Sequence, residues 1–279
     1  MTKVLIEGEA VPAIGQGTWR LGHDPKTRSA EVDALRYGIA QGLTLIDTAE
    51  MYADGGAEQV VGEAVRDVSE TVFIVSKVWP NHASYDGVLH ALQQSLNRLG
   101  RPYVDLYLLH WPSRHYPLVD TLNALVTAKR QGLARHIGVS NFPADLLEQA
   151  LAMTEGAISV NQVEYHLLNR RAEHRLLGYY PRVATMAYSP VKGLTALAPD
   201  HPGRQVLQRL AETYQVTPAT VALAWLIAHP GVVAIPKAVR REHIDANRRA
   251  LELTLTSADR AALDAAFPAV NEDIPLEAL

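Results

Sequence analysis

The 279-residue chain contains no cysteine, which removes disulfides, thiolate nucleophiles, zinc ribbons and cysteine-ligated iron–sulfur clusters together. Its chemistry must use oxygen and nitrogen groups. Nor is there an excess of positive charge: 26 Lys and Arg against 30 Asp and Glu give a net charge of -4. That field is too weak to hold a polyanion by counterion release, so nucleic acid is not an expected partner. No run of about 18 apolar residues occurs, and the first twenty residues, MTKVLIEGEAVPAIGQGTWR, hold acids and glycines but no apolar h-region. The expectation is a cytoplasmic protein with no membrane partner. A G-x-G-x-x-G turn after the first strand, a G-x-S-x-G elbow, an H-x-H closing an early strand and an H-E-x-x-H helix are all missing. An open dinucleotide-binding sheet, a serine hydrolase and a metal-dependent barrel hydrolase thereby lose their signatures, and no metal ligands are assigned.

What the chain does have is apolar material, 48% against 20% charged residues, arranged as short apolar runs alternating with helical stretches. The runs are Leu43 to Ile46, Val72 to Ser76, Val104 to Leu109, His136 to Val139, Ile158 to Val163, Val183 to Tyr188 and Val232 to Ile235, with Ile14 to Thr18 as a first, weaker member. Several are continuously apolar, as strands covered on both faces are. Between them, Ser84 caps a helix with a Val88-Leu92-Leu96-Leu99 stripe stopped by Gly100. Thr217-Pro218 opens another that buries Val221, Trp225 and Ala228, and a third runs from Ser29 through Val32, Leu35, Arg36 and Ile39 to Gly42. Eight βα units fill the length that a closed barrel needs. The expected fold is one α/β domain over residues 1–279, a (β/α)8 TIM barrel, with Val4 to Glu7 and Ala10 to Pro12 forming a hairpin across the barrel floor. No heptad seam or unexplained apolar face is visible, so a monomer is expected.

In a parallel barrel the chemistry lies where strands end. Asp47 closes the strand starting at Leu43, Tyr52 follows in the same loop, Lys77 ends the next strand and His110 the one after. A phenol, an amine, an acid and an imidazole on three adjacent strand ends can form a proton donor. Lys77 beside Tyr52 is expected to lower the phenol's pKa, Asp47 to keep Lys77 charged, and His110 to orient a carbonyl oxygen. With no thiol, metal motif or serine elbow to attack carbon, the attacking species is sought in a cofactor, and hydride is the natural partner of such an acid.

The segments Asp47-Thr48-Ala49-Glu50-Met51-Tyr52, Ser76-Lys77, Leu108-Leu109-His110-Trp111, Ile137-Gly138-Val139-Ser140-Asn141-Phe142, Asn161-Gln162, Ala187-Tyr188-Ser189-Pro190 and Ile235-Pro236-Lys237 together resemble the aldo-keto reductases, in the right order over residues 11 to 255. The resemblance implies a (β/α)8 barrel that binds NAD(P)H across its mouth and reduces aldehydes or ketones. By it Tyr52 is the general acid, Lys77 and Asp47 tune it, and His110 positions the carbonyl. Ser140, Asn141 and Gln162 fall where the family holds the nicotinamide carboxamide, Tyr188 where a ring stacks under the nicotinamide, and Ser189 where a loop meets the pyrophosphate. Lys237, Ala238, Arg240, His243 and Asn247 fall around the adenosine 2'-phosphate and adenine. Lys237 and the following cations favour NADPH. Ala238 and His243 depart from the hydroxyl residue and arginine usual there, so NADH with a weaker preference is also implied, and discrimination that varies with pH. Trp19, Trp79 and Trp111 are expected to wall a shallow pocket for a small carbonyl compound, because the segments that shape the pocket look short. GQGTW with DTAEMYADGGAE is most similar to small bacterial members acting on 2-oxoaldehydes such as methylglyoxal. The alternative from another class is a nicotinamide-sensing regulatory barrel with slow turnover.

Overall fold

The computed structural model describes residues 2–68 and 72–277. Strands β1 (Lys3–Ile6) and β2 (Glu9–Pro12) form an antiparallel hairpin with Leu5 opposite Ala10. Its turn needs two left-handed residues, supplied by Glu7 and Gly8 at φ 45° and 87°. The remaining strands make an eight-stranded parallel sheet in sequence order: β3 (Gln16–Gly17), β4 (Leu45–Asp47), β5 (Phe73–Val78), β6 (Val104–Leu109), β7 (Ala134–Ser140), β8 (Ile158–Glu164), β9 (Ala184–Tyr188) and β10 (Val232–Ala234). The sheet closes on itself. Ile14 bridges Ala234 in parallel, with Gly15 N donating to Ala234 O and Ala234 N to Ala13 O, both at 2.8 Å. The result is the expected (β/α)8 barrel, and the hairpin is present. His136 of β7 stands between Glu7 and Glu9 of the hairpin, its Nδ1 2.5 Å from the first and its Nε2 3.0 Å from the second, which ties the hairpin to the barrel.

Around the sheet run α1 (Arg28–Ala40), α2 (Gly56–Val65), α3 (Tyr85–Leu99), α4 (Leu118–Arg130), α5 (Ala144–Met153), α6 (Pro202–Tyr214), α7 (Pro218–Ile227), α8 (Arg241–Ala250) and α9 (Ser257–Ala266). The caps read from the sequence hold: Ser84 accepts from Gly87 N, Gly100 ends α3 in the left-handed region, and Thr217 accepts from Thr220 N ahead of Pro218. Two expectations change. Arg36 does not share the buried stripe of α1; it is exposed and donates to the carbonyls at the end of α2. Helix α7 is buried on all sides from Thr220 to Ile227, not on one stripe, because α6 and α8 flank it, while Ala228, expected in the buried stripe, is its exposed C-cap. The β8–β9 connection carries only a 3-10 turn at Arg171–Glu173, whereas β9–β10 carries both α6 and α7. No helix among the described residues is long and apolar enough to cross a membrane.

Strand alternation aims the site. In β5, Lys77 points into the barrel and its neighbour Ser76 outward to α2, although every residue of the strand is buried. Asp47 of β4 and Gln162 of β8 likewise turn inward, where they meet.

Candidate active site

Lys77 is fully buried at the C-terminal end of the barrel, where an ammonium needs an acceptor for each of its three hydrogens. It has them: Asp47 Oδ1 at 2.7 Å, Thr48 O at 2.7 Å and Tyr52 OH at 3.4 Å. The other Asp47 oxygen accepts from Gln162 Nε2 at 2.8 Å. Both carboxylate oxygens are thus engaged, and the phenol oxygen receives the remaining ammonium hydrogen. That leaves the phenol's own hydrogen free to face the cavity. Tyr52 is held in place by Trp19 and His110, whose rings stand edge-on to it with centroids 5.1 and 5.5 Å away, and His110 stacks on Trp111 at 4.1 Å.

Burial governs the protonation states. It pushes the Tyr52 phenol well above its ordinary value, helped by the nearby Asp47 and Tyr188. This corrects the expectation that Lys77 lowers it. Asp47 at 2.7 Å offsets part of the ammonium's pull on the phenolate, and the desolvation of a buried phenolate outweighs what remains. Burial also lowers Lys77, against the opposing pull of Asp47 and Glu58. His110 lies well below the usual imidazole range, through burial and then the charge of Lys77. It is therefore neutral at physiological pH and carries one N–H to donate, while its Nδ1 is buried without a partner.

A cavity of about 410 Å³ opens on this cluster, lined by Trp19, Asp47, Tyr52, His110 and Trp111 on one side and by Ser140, Gln162, Tyr188, Ser189 and Lys237 on the other. Asn141 stands just behind its wall. It accepts from Tyr188 OH at 2.9 Å and donates to His110 O and Ser140 Oγ, both at 3.1 Å. Asn141 and Ser189 adopt left-handed backbone at φ 62° and 52°, a conformation that costs a non-glycine residue about 1–3 kcal/mol and concentrates at functional sites. A second cavity of about 730 Å³ is lined by Glu242, His243 and Asn247 and shares Val191, Pro236 and Lys237 with the first, so the two form one elongated cleft.

Besides Lys77 and Asn141, which stand behind the wall, three sequence-predicted residues lie outside that lining. Trp79 is turned toward His82 and its backbone N–H donates to Glu50 at 2.6 Å, away from the Tyr52 cavity. Ala238 and Arg240 line neither cavity; Arg240 is exposed, with Nη2 2.7 Å from His243 Nε2. Conversely, sequence reasoning missed Thr48, whose carbonyl completes the Lys77 shell, and Met186, whose sulfur accepts from Gln162 at 2.9 Å. It also missed the helix wall of the second cavity, Arg204, Gln208 and Thr217. A backbone carbonyl has no residue signature. Met186, by contrast, is paired with Gln162 in register, so strand alternation could have found it.

Residues 13–267 match the model of the Aldo/keto reductase family. The chain is 45% identical over 263 residues to methylglyoxal reductase YeaE of Escherichia coli K12, covering 93% of this chain and 92% of that protein. It is 33% identical to methylglyoxal reductase DkgB of Escherichia coli O157:H7, covering 92% and 93%. A Klebsiella pneumoniae aldo/keto reductase crystallised with NADP and acetate superposes with a TM-score of 0.91 at 42% identity, covering 99% of both chains. On the family match and on relatives aligned over nearly their whole length, this chain belongs to the aldo/keto reductase family.

Proposed function

We propose that this protein reduces small aldehydes and ketones, 2-oxoaldehydes such as methylglyoxal among them, with NADPH as reductant and Tyr52 as the proton donor. One observation carries the reading: Lys77, buried between Asp47 and Tyr52, takes the phenol oxygen's lone pair and leaves the phenol hydrogen to point into the cavity. Methylglyoxal reductases among the relatives and NADP in a neighbouring structure support the substrate class and cofactor. They lend nothing to the nicotinamide-sensing alternative.

The elongated cleft fits a nicotinamide dinucleotide by the chemistry of its groups. Ser140 and Gln162 line it with polar groups suited to an amide, Asn141 behind them holds Tyr188 and Ser140 in place, Tyr188 offers a ring face, and Lys237 with His243 and Asn247 lies at the far end. When bound, NADPH supplies hydride. The chain's own residues do the rest. His110, neutral, donates one N–H to the carbonyl oxygen and fixes its direction. Tyr52 delivers its proton to the same oxygen as negative charge builds there. A high phenol pKa is no obstacle, because an alkoxide is a stronger base than a phenolate, and it keeps the donor loaded over the physiological range. Lys77, hydrogen-bonded to the phenol oxygen, then stabilises the charge left on it. Trp19, Trp111, Met51 and Val191 give the cavity apolar walls that suit a small uncharged carbonyl compound.

The test is Tyr52→Phe, which removes only the acidic hydroxyl. NADPH affinity, read by fluorescence titration, is expected within about twofold of wild type, and NADPH-dependent reduction of methylglyoxal lowered by at least about a thousandfold. Turnover preserved in this variant would refute the assigned acid.

A further inference from the structure

Behind the active site, on the outer face of β5, lies a buried carboxylate, paired with a partly exposed arginine, that the chemistry above does not use. Glu58, in the first turn of α2, is fully buried. Its Oε1 accepts from Ser76 Oγ at 2.5 Å and its Oε2 from Arg98 Nε at 2.6 Å, and Arg98 Nη2 donates to Ser95 Oγ at 3.2 Å. Ser76 is the residue before Lys77 in the strand. On the other side, Glu58 follows directly on the turn that carries Tyr52. The stem of Arg98 packs on that turn as well: a Cβ added to Gly55 would meet Arg98 Cδ at 2.4 Å.

That turn cannot hold its own shape. Ala53, Asp54 and Gly55 are all left-handed, at φ 52°, 50° and 86°, and two of the three are residues for which this backbone is unfavourable. A turn of this kind persists only where its surroundings fix it. Apolar packing alone could seat α2 on β5 without desolvating charged groups. What Glu58 and Arg98 add is direction, because their hydrogen bonds join three elements in a single register.

We propose that Glu58 is a positioning residue, clamping the Tyr52 turn to strand β5 through Ser76 and Arg98 so that the phenol oxygen stays within reach of Lys77. The inference rests on the proposed acid role of Tyr52 and the proposed charge role of Lys77. A second effect runs in the same direction: the negative charge of Glu58 favours the protonated form of Lys77 through the protein interior.

The experiment compares Glu58→Gln, Glu58→Asp, Ser76→Ala and Tyr52→Phe in the full-length protein, each read by NADPH titration, by kcat and KM for methylglyoxal, and by the pH profile of kcat. Glu58→Gln is expected to bind NADPH within about twofold of wild type but to lose about tenfold in kcat. The alkaline limb of its kcat profile moves to lower pH, since Lys77 has lost a stabilising charge. Glu58→Asp, which keeps the charge, returns the limb toward its wild-type position; a purely structural role for Glu58 would move no limb. Ser76→Ala keeps the Glu58–Arg98 ion pair and cuts only the tie to β5. It covers the case in which Glu58→Gln does not fold, with an expected loss of about threefold to tenfold in kcat at unchanged NADPH affinity. Wild-type kcat and pH limb in a folded Glu58→Gln, or wild-type kcat in Ser76→Ala, would overturn the clamp. An active Tyr52→Phe would instead bring down the acid assignment beneath it, so the two failures are distinct.

Discussion

Replacing Lys77 by Met separates the charge's part in catalysis from its part in folding. Met fills nearly the same volume and keeps the apolar stem, so the loss is the ammonium itself. With Lys77 gone, Asp47 is left buried with Gln162 as its remaining donor, and breaking a buried pair in this way costs about 3–5 kcal/mol of stability. Catalysis loses a different quantity. A unit charge 3.4 Å from the phenol oxygen acts, at an effective dielectric near 20, with about 5 kcal/mol on a full phenolate. Half a charge at the transition state, opposed in part by Asp47, leaves about 2 kcal/mol, or about 30-fold in kcat. The double variant Lys77→Met/Asp47→Asn tells the two apart. Exchanging both charges for neutral groups should recover most of the lost stability in urea melts, because a buried pair contributes little net, while kcat stays at least about 30-fold down. NADPH oxidation monitored by absorbance gives the rate, and cofactor titration confirms a formed site. A single or double variant with wild-type kcat would refute the role given to the ammonium. Recovery of kcat along with stability in the double variant would show that Lys77 matters only for folding.

At the far end of the cleft, Lys237→Ala should raise the NADPH dissociation constant by about tenfold or more while changing that of NADH by less than about threefold; equal effects on both would place the 2'-phosphate elsewhere. His243→Arg restores a permanent cation beside Arg240 and should tighten NADPH by about tenfold with NADH unchanged, read by the same titrations. Glu164 provides a pH test read in stability, not in turnover. Its carboxyl is held down at about 2, from 4.5, by hydrogen bonds from His166 and Lys192 against the cost of burial. A depressed folded-state pKa gives stability that is complete above the unfolded value and lost as pH falls through the folded one, at about 1.4 kcal/mol per unit. Glu164→Gln should therefore flatten the acid loss of stability between about pH 4.5 and 2, and a melting series with an unchanged slope would count against the pairing.

The fold was legible because its signals are periodic. Stripes such as Val88 to Leu99 repeat at the helical spacing, unbroken apolar runs such as Leu106 to Leu109 recur between them as strands covered on both faces do, and Ser84, Gly100 and Thr217 mark ends by a local mechanism that burial does not alter. The side chains that meet in the site were legible for a related reason: a parallel barrel brings strand ends together, so Asp47, Lys77 and His110 had to be neighbours once the strands were known. What the sequence could not carry is environment. Arg36 falls on the helical period of α1 yet lies outside the core, because the carbonyls ending α2 offer it acceptors at the surface. Trp79 follows its strand as Trp111 follows His110, but Glu50 captures its backbone and turns the loop away.

The direction of the Tyr52 shift is the sharpest case. A lysine next to a tyrosine gives a net lowering of the phenol pKa only if its pull exceeds the cost of burying the phenolate, and the Asp47 that keeps Lys77 ionised also weakens that pull. The same three residues therefore imply opposite ground-state shifts according to how deeply they are buried, and burial is a property of the closed barrel, not of any motif. The chemistry survives the reversal because the ground state and the transition state make different demands. Before reaction a buried phenol need only keep its proton and aim it. As that proton leaves, the phenol oxygen gains charge that Lys77, already hydrogen-bonded to it, is placed to meet without reorganisation.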